Sequence, residues 1–283
     1  MTRTTQAIPR GFALLLACAF LGACAATPGA SVTPGARSTT IATPTVAAPS
    51  PSSFASLAPS GGTQSPTPGV IPLLFGCSHD APCNLKAGTY ETSGRWAFLR
   101  GLRVTVPAGW SSDEQDAGEF NLHPMDQPDA ELFFWKDISA TRNDFAGTPV
   151  PDVPTTEQGY LSWLTANPDL IVSKPRPTSV GHVPVAMVDV RTSPTATNND
   201  PGCPAPPCVA FLRDVAHWQQ PWSSSHAEVL RMYLGTIGPA SDRHTFVVAI
   251  DFQGLPGLGL DAFTERVGPI LDSVVIPDVI VDN

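Results

Sequence analysis

Ser241, Asp242 and His244 have the side-chain types of a nucleophile, an orienting acid and a general base, and they stand within one short stretch. Triad members come from separate elements that meet in space, whereas these three fall in a predicted hairpin loop, where serine and aspartate serve turns. The turn is the reading their spacing supports. A hydrolytic site assembled from distant residues stays open as an alternative, with His217, His226 or His244 and an acidic partner, because catalytic groups need only converge after folding. The segment His217-Trp218-Gln219-Gln220-Pro221-Trp222 carries a different chemistry. Two indoles in a polar, proline-containing loop can present flat apolar faces to a sugar or a peptide, with His217 beside them; the competing role is to cover the edge of a core.

Metal and cofactor chemistry is poorly provided for. Asp113, Glu114, Asp116 and Glu119 offer hard oxygens of the kind calcium takes, but the cluster lacks the alternating ligands and tight glycine of a calcium loop, so a solvated turn is expected. The glycines at 254, 257 and 259 are not spaced as a dinucleotide-binding loop and read as a turn into a helix. No nucleophile elbow, zincin helix or Walker loop is present. No catalytic residue, metal site or cofactor is therefore assigned.

Four cysteines form two close pairs, Cys77 with Cys83 and Cys203 with Cys208. Four thiols permit three pairings; the local ones are expected in an oxidising compartment, each closing a short loop and contributing about 2 kcal/mol. Zinc is the competing use, with His79 beside Cys77 and Cys83, although the ligand spacing of a structural zinc site is missing.

Ahead of these residues the chain changes character. Arg3 and Arg10 precede an apolar run from Gly11 to Leu21 that ends in Leu21-Gly22-Ala23-Cys24. A positive start, a short apolar stretch and small residues make a signal peptide, and the run falls short of the about 20 residues a membrane-spanning helix needs. The terminal cysteine resembles the lipobox of bacterial lipoproteins. That resemblance implies cleavage after residue 23 and a diacylglyceryl thioether on Cys24, whose two acyl chains hold the protein stably on a membrane.

Residues 24–70 are expected to be the anchor and a disordered linker. From Ala25 to Val70, 38 of 46 residues are Ala, Gly, Pro, Ser or Thr, with one charge at Arg37; such a segment cannot bury enough apolar surface to offset its ordering entropy. It would reach about 40 Å as a coil and about 140 Å as extended polyproline. Residues 71–283 then form one extracytoplasmic globular domain. All 25 acidic residues lie there against 13 Lys and Arg, so nucleic acid and anionic lipid, which need a basic face, are poor partners and no nucleic-acid binding is expected.

Periodicity within the domain predicts mostly strands, over 86–92, 96–99, 102–106, 119–123, 131–136, 183–191, 209–213, 229–235 and 245–252. Along 183–191, Val185, Met187 and Asp189 share one face, and Ala186, Val188 and Val190 the other. Thr155 and Gln158 fit a capping box that opens a helix over 156–166. Leu260, Phe263, Val267, Ile270, Leu271 and Val274 recur at helical spacing near the end, with Pro269 expected to kink that helix.

The segments LRGLRVTVPAGW and LDAFTERVGPILDSVVI, with an antiparallel strand series between them, are similar to the ends of the PsbP/Mog1-like domains found in many bacterial lipoproteins of the LpqN type. The resemblance spans roughly residues 90–276. It implies an α+β fold, an antiparallel sheet with flanking helices in an α/β/α sandwich, and a non-enzymatic binding or assembly role. Three functions are carried forward: a membrane-anchored extracytoplasmic binding module for an envelope protein or small ligand, a cell-envelope hydrolase, and a solute-binding or sensory lipoprotein.

Overall fold

The computed structural model describes residues 69–73, 77, 81–92, 99–112, 118–127, 129–144, 146–198, 203, 205–214, 221–240, 242–252 and 259–277. The chain divides into two units, Met1–Gly61 and Gly62–Asn283, and every described residue belongs to the second. The expected signal peptide, Cys24 and the linker to residue 68 lie outside the described residues. So do His79, Trp96, Asp113, Glu114, Asp116, His217, Trp218, Ser241 and the glycines at 254 and 257.

In chain order the strands are β1 (Val70–Leu73), β2 (Cys83–Leu85), β3 (Gly88–Thr92), β4 (Arg103–Val106), β5 (Trp110–Ser112), β6 (Glu119–Pro124), β7 (Ala130–Lys136) and β8 (Ile138–Ala140). Helix α1 (Glu157–Ala166) follows, then β9 (Leu170–Val172), β10 (Arg176–Val180), β11 (Val183–Thr192), β12 (Cys208–Asp214), β13 (Trp222–Ser225), β14 (Val229–Ile237), β15 (His244–Phe252) and helix α2 (Leu260–Asp272).

Nine strands build a central sheet in the order β10-β11-β14-β15-β7-β6-β5-β2, with β9 also paired to β11. Its long strands pair antiparallel, β14 with β15 from Val229↔Phe252 to Ile237↔His244, and β15 with β7 from Phe246↔Lys136 to Phe252↔Ala130. Two further sheets have three strands each, β1-β3-β4 and β13-β12-β8.

Side chains alternate across a strand, so the central sheet is apolar on both faces and needs a cover on each. One face carries Leu132, Phe134, Tyr233, Phe246, Val248 and Ile250 and packs against α2 and the β3–β4 pair. The opposite face carries Phe133, Trp135, Val188, Leu230, Met232, Val247 and Ala249 and packs against α1, β8 and β12. The face assignment expected for β11 holds, with Val185 and Met187 toward α2 and Ala186, Val188 and Val190 toward α1.

The expected α/β/α sandwich is corrected by this arrangement. Among the described residues the chain is mostly strand, with only two helices, and its architecture is sandwich-like β. Helices of 10 and 13 residues are too short to cover nine strands, since a helix rises only about 1.5 Å per residue. The small sheets supply the remaining cover, which a pattern of long strands and two helices did not announce.

Local signals fared better. Helix α1 starts where the turn chemistry put it, but its cap is Thr156, whose side chain accepts from the Gly159 amide at 3.2 Å. Thr155 instead gives its carbonyl to the Thr245 hydroxyl. Helix α2 buries Phe263, Val267, Ile270 and Leu271, begins at Gly259 and contains Pro269. The β10–β11 hairpin turns at Gly181, with φ at +54°, and a side chain there would strike the Val274 carbonyl. Glycine is thus required where the hairpin docks against the end of α2, its amide donating to Leu271 O at 2.8 Å.

Candidate functional site

Both disulfides are the local ones, Cys77–Cys83 and Cys203–Cys208, with Cα separations of 5.3 and 5.8 Å. The sulfurs of Cys77 and Cys83 are bonded to each other and so are not thiolates for zinc. Two disulfides point to an oxidising, extracytoplasmic setting. Among the described residues no helix is long and apolar enough to cross a membrane, and no group of three His, Cys, Asp or Glu side chains is placed to hold a metal ion.

Of the histidines proposed for a hydrolytic site, the two among the described residues, His226 and His244, do not converge. His244 is buried with Nδ1 at 2.7 Å from Asp137 Oδ2 and Nε2 at 3.3 Å from Asp242 Oδ1. Carboxylates face both ring nitrogens, the arrangement of a clamp across the start of β15. His226 is exposed on the β13–β14 turn, its Nδ1 2.9 Å from the Ala205 carbonyl oxygen. The Ile237↔His244 pair closes one end of β14, while His226 precedes the other end. Nine residues of strand put about 27 Å between those ends. His217 lies outside the described residues, and so does Trp218. Trp222 is half-buried and packs edge-on against Trp135 at 6.1 Å and Phe211 at 5.5 Å, at the margin of the core beneath α1.

Folding assembles a polar row that sequence reasoning missed. Trp110, Leu122, Leu132 and Ile250 point toward α2, so their neighbours Ser111, His123, Glu131 and Asp251 point to the opposite face. Ser111 pairs with His123 across β5 and β6, and Glu131 pairs with Asp251 across β7 and β15. One step beyond the Leu122↔Leu132 pair, His123 and Glu131 meet between them. Four strands thereby line up a hydroxyl, an imidazole and two carboxyls. The Ser111 hydroxyl is 3.3 Å from His123 Nδ1 and equally close to the His123 carbonyl. With Ser111 only 3% exposed, this hydroxyl bonds within the sheet and is closed to a substrate. Glu119, assigned above to a solvated turn, is completely buried in β6. A signal did exist, since Glu119, Asn121 and His123 alternate with Phe120 and Leu122; polar alternation reads as a solvent face, and only the third dimension buries it.

At the end of this row Asp251 is buried, and its Oδ1 has no hydrogen-bond partner. Burial, with Glu228 and Glu131 nearby, pushes its carboxyl well above the ordinary carboxylate range. Glu228 is anchored, accepting from the Ser225 amide at 2.9 Å. On the α2 face polar groups are paired off. Arg231 forks onto both Asp189 oxygens at 2.6 and 2.9 Å and reaches Asp261 and Thr264 of α2, each at 2.9 Å. Those carboxylates hold its guanidinium further into the charged form than usual.

Open space flanks α1. A cleft of about 660 Å³ lies between α1 and the β10–β11 hairpin, with Leu161, Pro177, Pro184 and Ala186 among its walls and Glu157 in it; partial burial raises the Glu157 carboxyl. A second cavity of about 300 Å³ lies where the 141–150 segment meets Trp163 and the end of α1. The helix itself is held down by Tyr160, whose buried hydroxyl donates to the Phe211 carbonyl at 2.9 Å; burial pushes that phenol well above its usual range.

No family model matches the chain, and no curated protein does either. Among solved structures, the chain is similar to a protein from Bacteroides thetaiotaomicron VPI-5482 at 7% identity and a TM-score of 0.34, over 68% of this chain and 49% of the other. The chain thus spans about half the length of that protein. A likeness at that level defines neither a common fold nor a common activity.

Proposed function

We propose that this chain is a cell-envelope lipoprotein, anchored through acyl chains on Cys24, whose folded domain serves outside the cytoplasm as a non-enzymatic binding or assembly module. The observation that carries the reading is the combination of a lipobox-like leader with two local disulfides in the domain: one calls for export and the other for an oxidising destination. Support for binding over catalysis comes from how the chemistry-bearing groups are used. His244 faces two carboxylates, the Ser111 hydroxyl is buried, and His226 lies at the opposite end of β14 from His244, whereas the open clefts beside α1 are lined by apolar and neutral polar residues with few charges.

Metabolic labelling with an alkyne palmitate analogue tests the anchor. The wild-type protein is expected to label and to sediment with membranes, and Cys24→Ala to lose the label; an unlabelled wild type recovered in the cytosol overturns the reading. For the non-enzymatic half, the purified full chain is assayed with generic ester, peptide and glycoside substrates. Turnover abolished by one side-chain replacement would establish the hydrolase instead.

A further inference from the structure

The smaller cavity beside α1 gathers polar groups around an aromatic ring. Trp163 lines it, half-buried, its ring 5.4 Å from Tyr160. Thr141 lines it too, completely buried, with a hydroxyl that has no hydrogen-bond partner. Arg142 is exposed at the same cavity, and its guanidinium makes no hydrogen bond among the described residues. Asn167 uses its carbonyl oxygen to accept from the Asp169 amide at 3.0 Å, which leaves its amide nitrogen to donate. Asp169 gives one carboxylate oxygen to Asn143 Nδ2 at 3.1 Å, and Asn143 is also fixed by the Thr197 carbonyl and the Ala210 amide.

This inventory selects a ligand class. A carboxylate beside the guanidinium leaves the cavity without the net positive charge a phosphate or carboxylate needs. Donors and acceptors of both kinds around an indole suit a ring that has an apolar face and hydroxyls at its rim. A volume of about 300 Å³ is at the small end of ligand sites, enough for one such ring. We infer that the cavity formed by Arg142, Trp163, Asn167 and Asp169 binds a single ring of a neutral carbohydrate. The inference rests on the binding-module reading and names a ligand for it.

The test uses the full chain, extracted in detergent with its six tryptophans isotopically labelled at the indole nitrogen, and titrated with methyl glycosides of glucose, galactose and N-acetylglucosamine. Glycine and inorganic phosphate are titrated in parallel. The Trp163 indole signal, assigned by its disappearance in Trp163→Phe, is expected to shift saturably with at least one glycoside, with a Kd on the order of 1 mM. Arg142→Ala is expected to weaken that binding about tenfold while leaving the unfolding midpoint in place, because that side chain is exposed. Absence of a shift with every glycoside, a shift undiminished in Arg142→Ala, or a stronger response to glycine or phosphate overturns the inference. Acyl labelling at Cys24 is read independently, so the anchor and the carbohydrate site can fail separately.

Discussion

The two faces of the central sheet bury comparable apolar side chains yet treat polar groups in opposite ways. Toward α2, the buried charge of Arg231 is answered twice, by Asp189 on the adjacent strand and by Asp261 and Thr264 on the helix. Arg266 of the same helix lies 5.6 Å above the Trp110 ring and pairs with Asp126 and Gln127. Toward α1, Asp251 and Thr141 are buried with oxygens that lack partners, and both clefts open there. The contrast separates a face that holds the fold together from a face that retains unmet hydrogen-bonding capacity, where recognition is to be sought.

The largest expected effect lies on the α2 face. Phe263 is fully buried against Trp110 and Phe252, so Phe263→Ala is expected to destabilise by about 4 kcal/mol through lost transfer energy and a residual cavity. A urea unfolding midpoint reads it, and a small change would show that α2 is not the structural side. Next comes Arg231→Ala, which leaves the Asp189 carboxylate only the more distant Arg176 at 3.9 Å and removes the link to α2. About 3 kcal/mol is expected, discounted from a fully buried pair because Asp189 retains 23% of its side-chain exposure.

Asp251 puts the opposite face to the test, with the opposite sign. Its carboxyl is held above the ordinary range, so the folded state keeps a proton that the unfolded chain releases above about pH 4. Stability therefore falls as pH rises through the window from about pH 4 toward the raised value. Asp251→Asn is expected to stabilise the protein at pH 7, an advantage that vanishes below about pH 4. Unfolding midpoints measured across that range check the crossover; a destabilised Asn variant at neutral pH would mean that the carboxylate is structurally satisfied. The smallest effect is predicted for Asp261→Ala. That side chain is 90% exposed, and loss of a solvent-screened pair should leave the midpoint unchanged, with Arg231 still forked on Asp189.

Much of the local structure was legible because its signals are short-range. Turn residues, the apolar runs of β7 and β15, the alternating faces of β11, and the 3.6-residue recurrence from Leu260 to Leu271 mark elements whose cause lies within a few residues. Close cysteine pairs were readable for the same reason, since short loops favour local closure. Short strands such as β2, β5, β8 and β13 carry too few residues to display a period, and they became strands only by pairing.

The candidate sites were less legible. Ser111, His123, Glu131 and Asp251 come from four strands, and the cavity around Trp163 joins Thr141 and Arg142 to the end of a helix that follows them. Sequence alone determined the leader pattern, the composition of the linker, the acidic balance and the periods of strand and helix, because each is a property of neighbouring residues. Tertiary structure decided which face of each strand is buried, which polar groups find partners, and that small sheets share the covering role with helices. Those outcomes depend on register and on what packs opposite, quantities that exist only once distant segments have met.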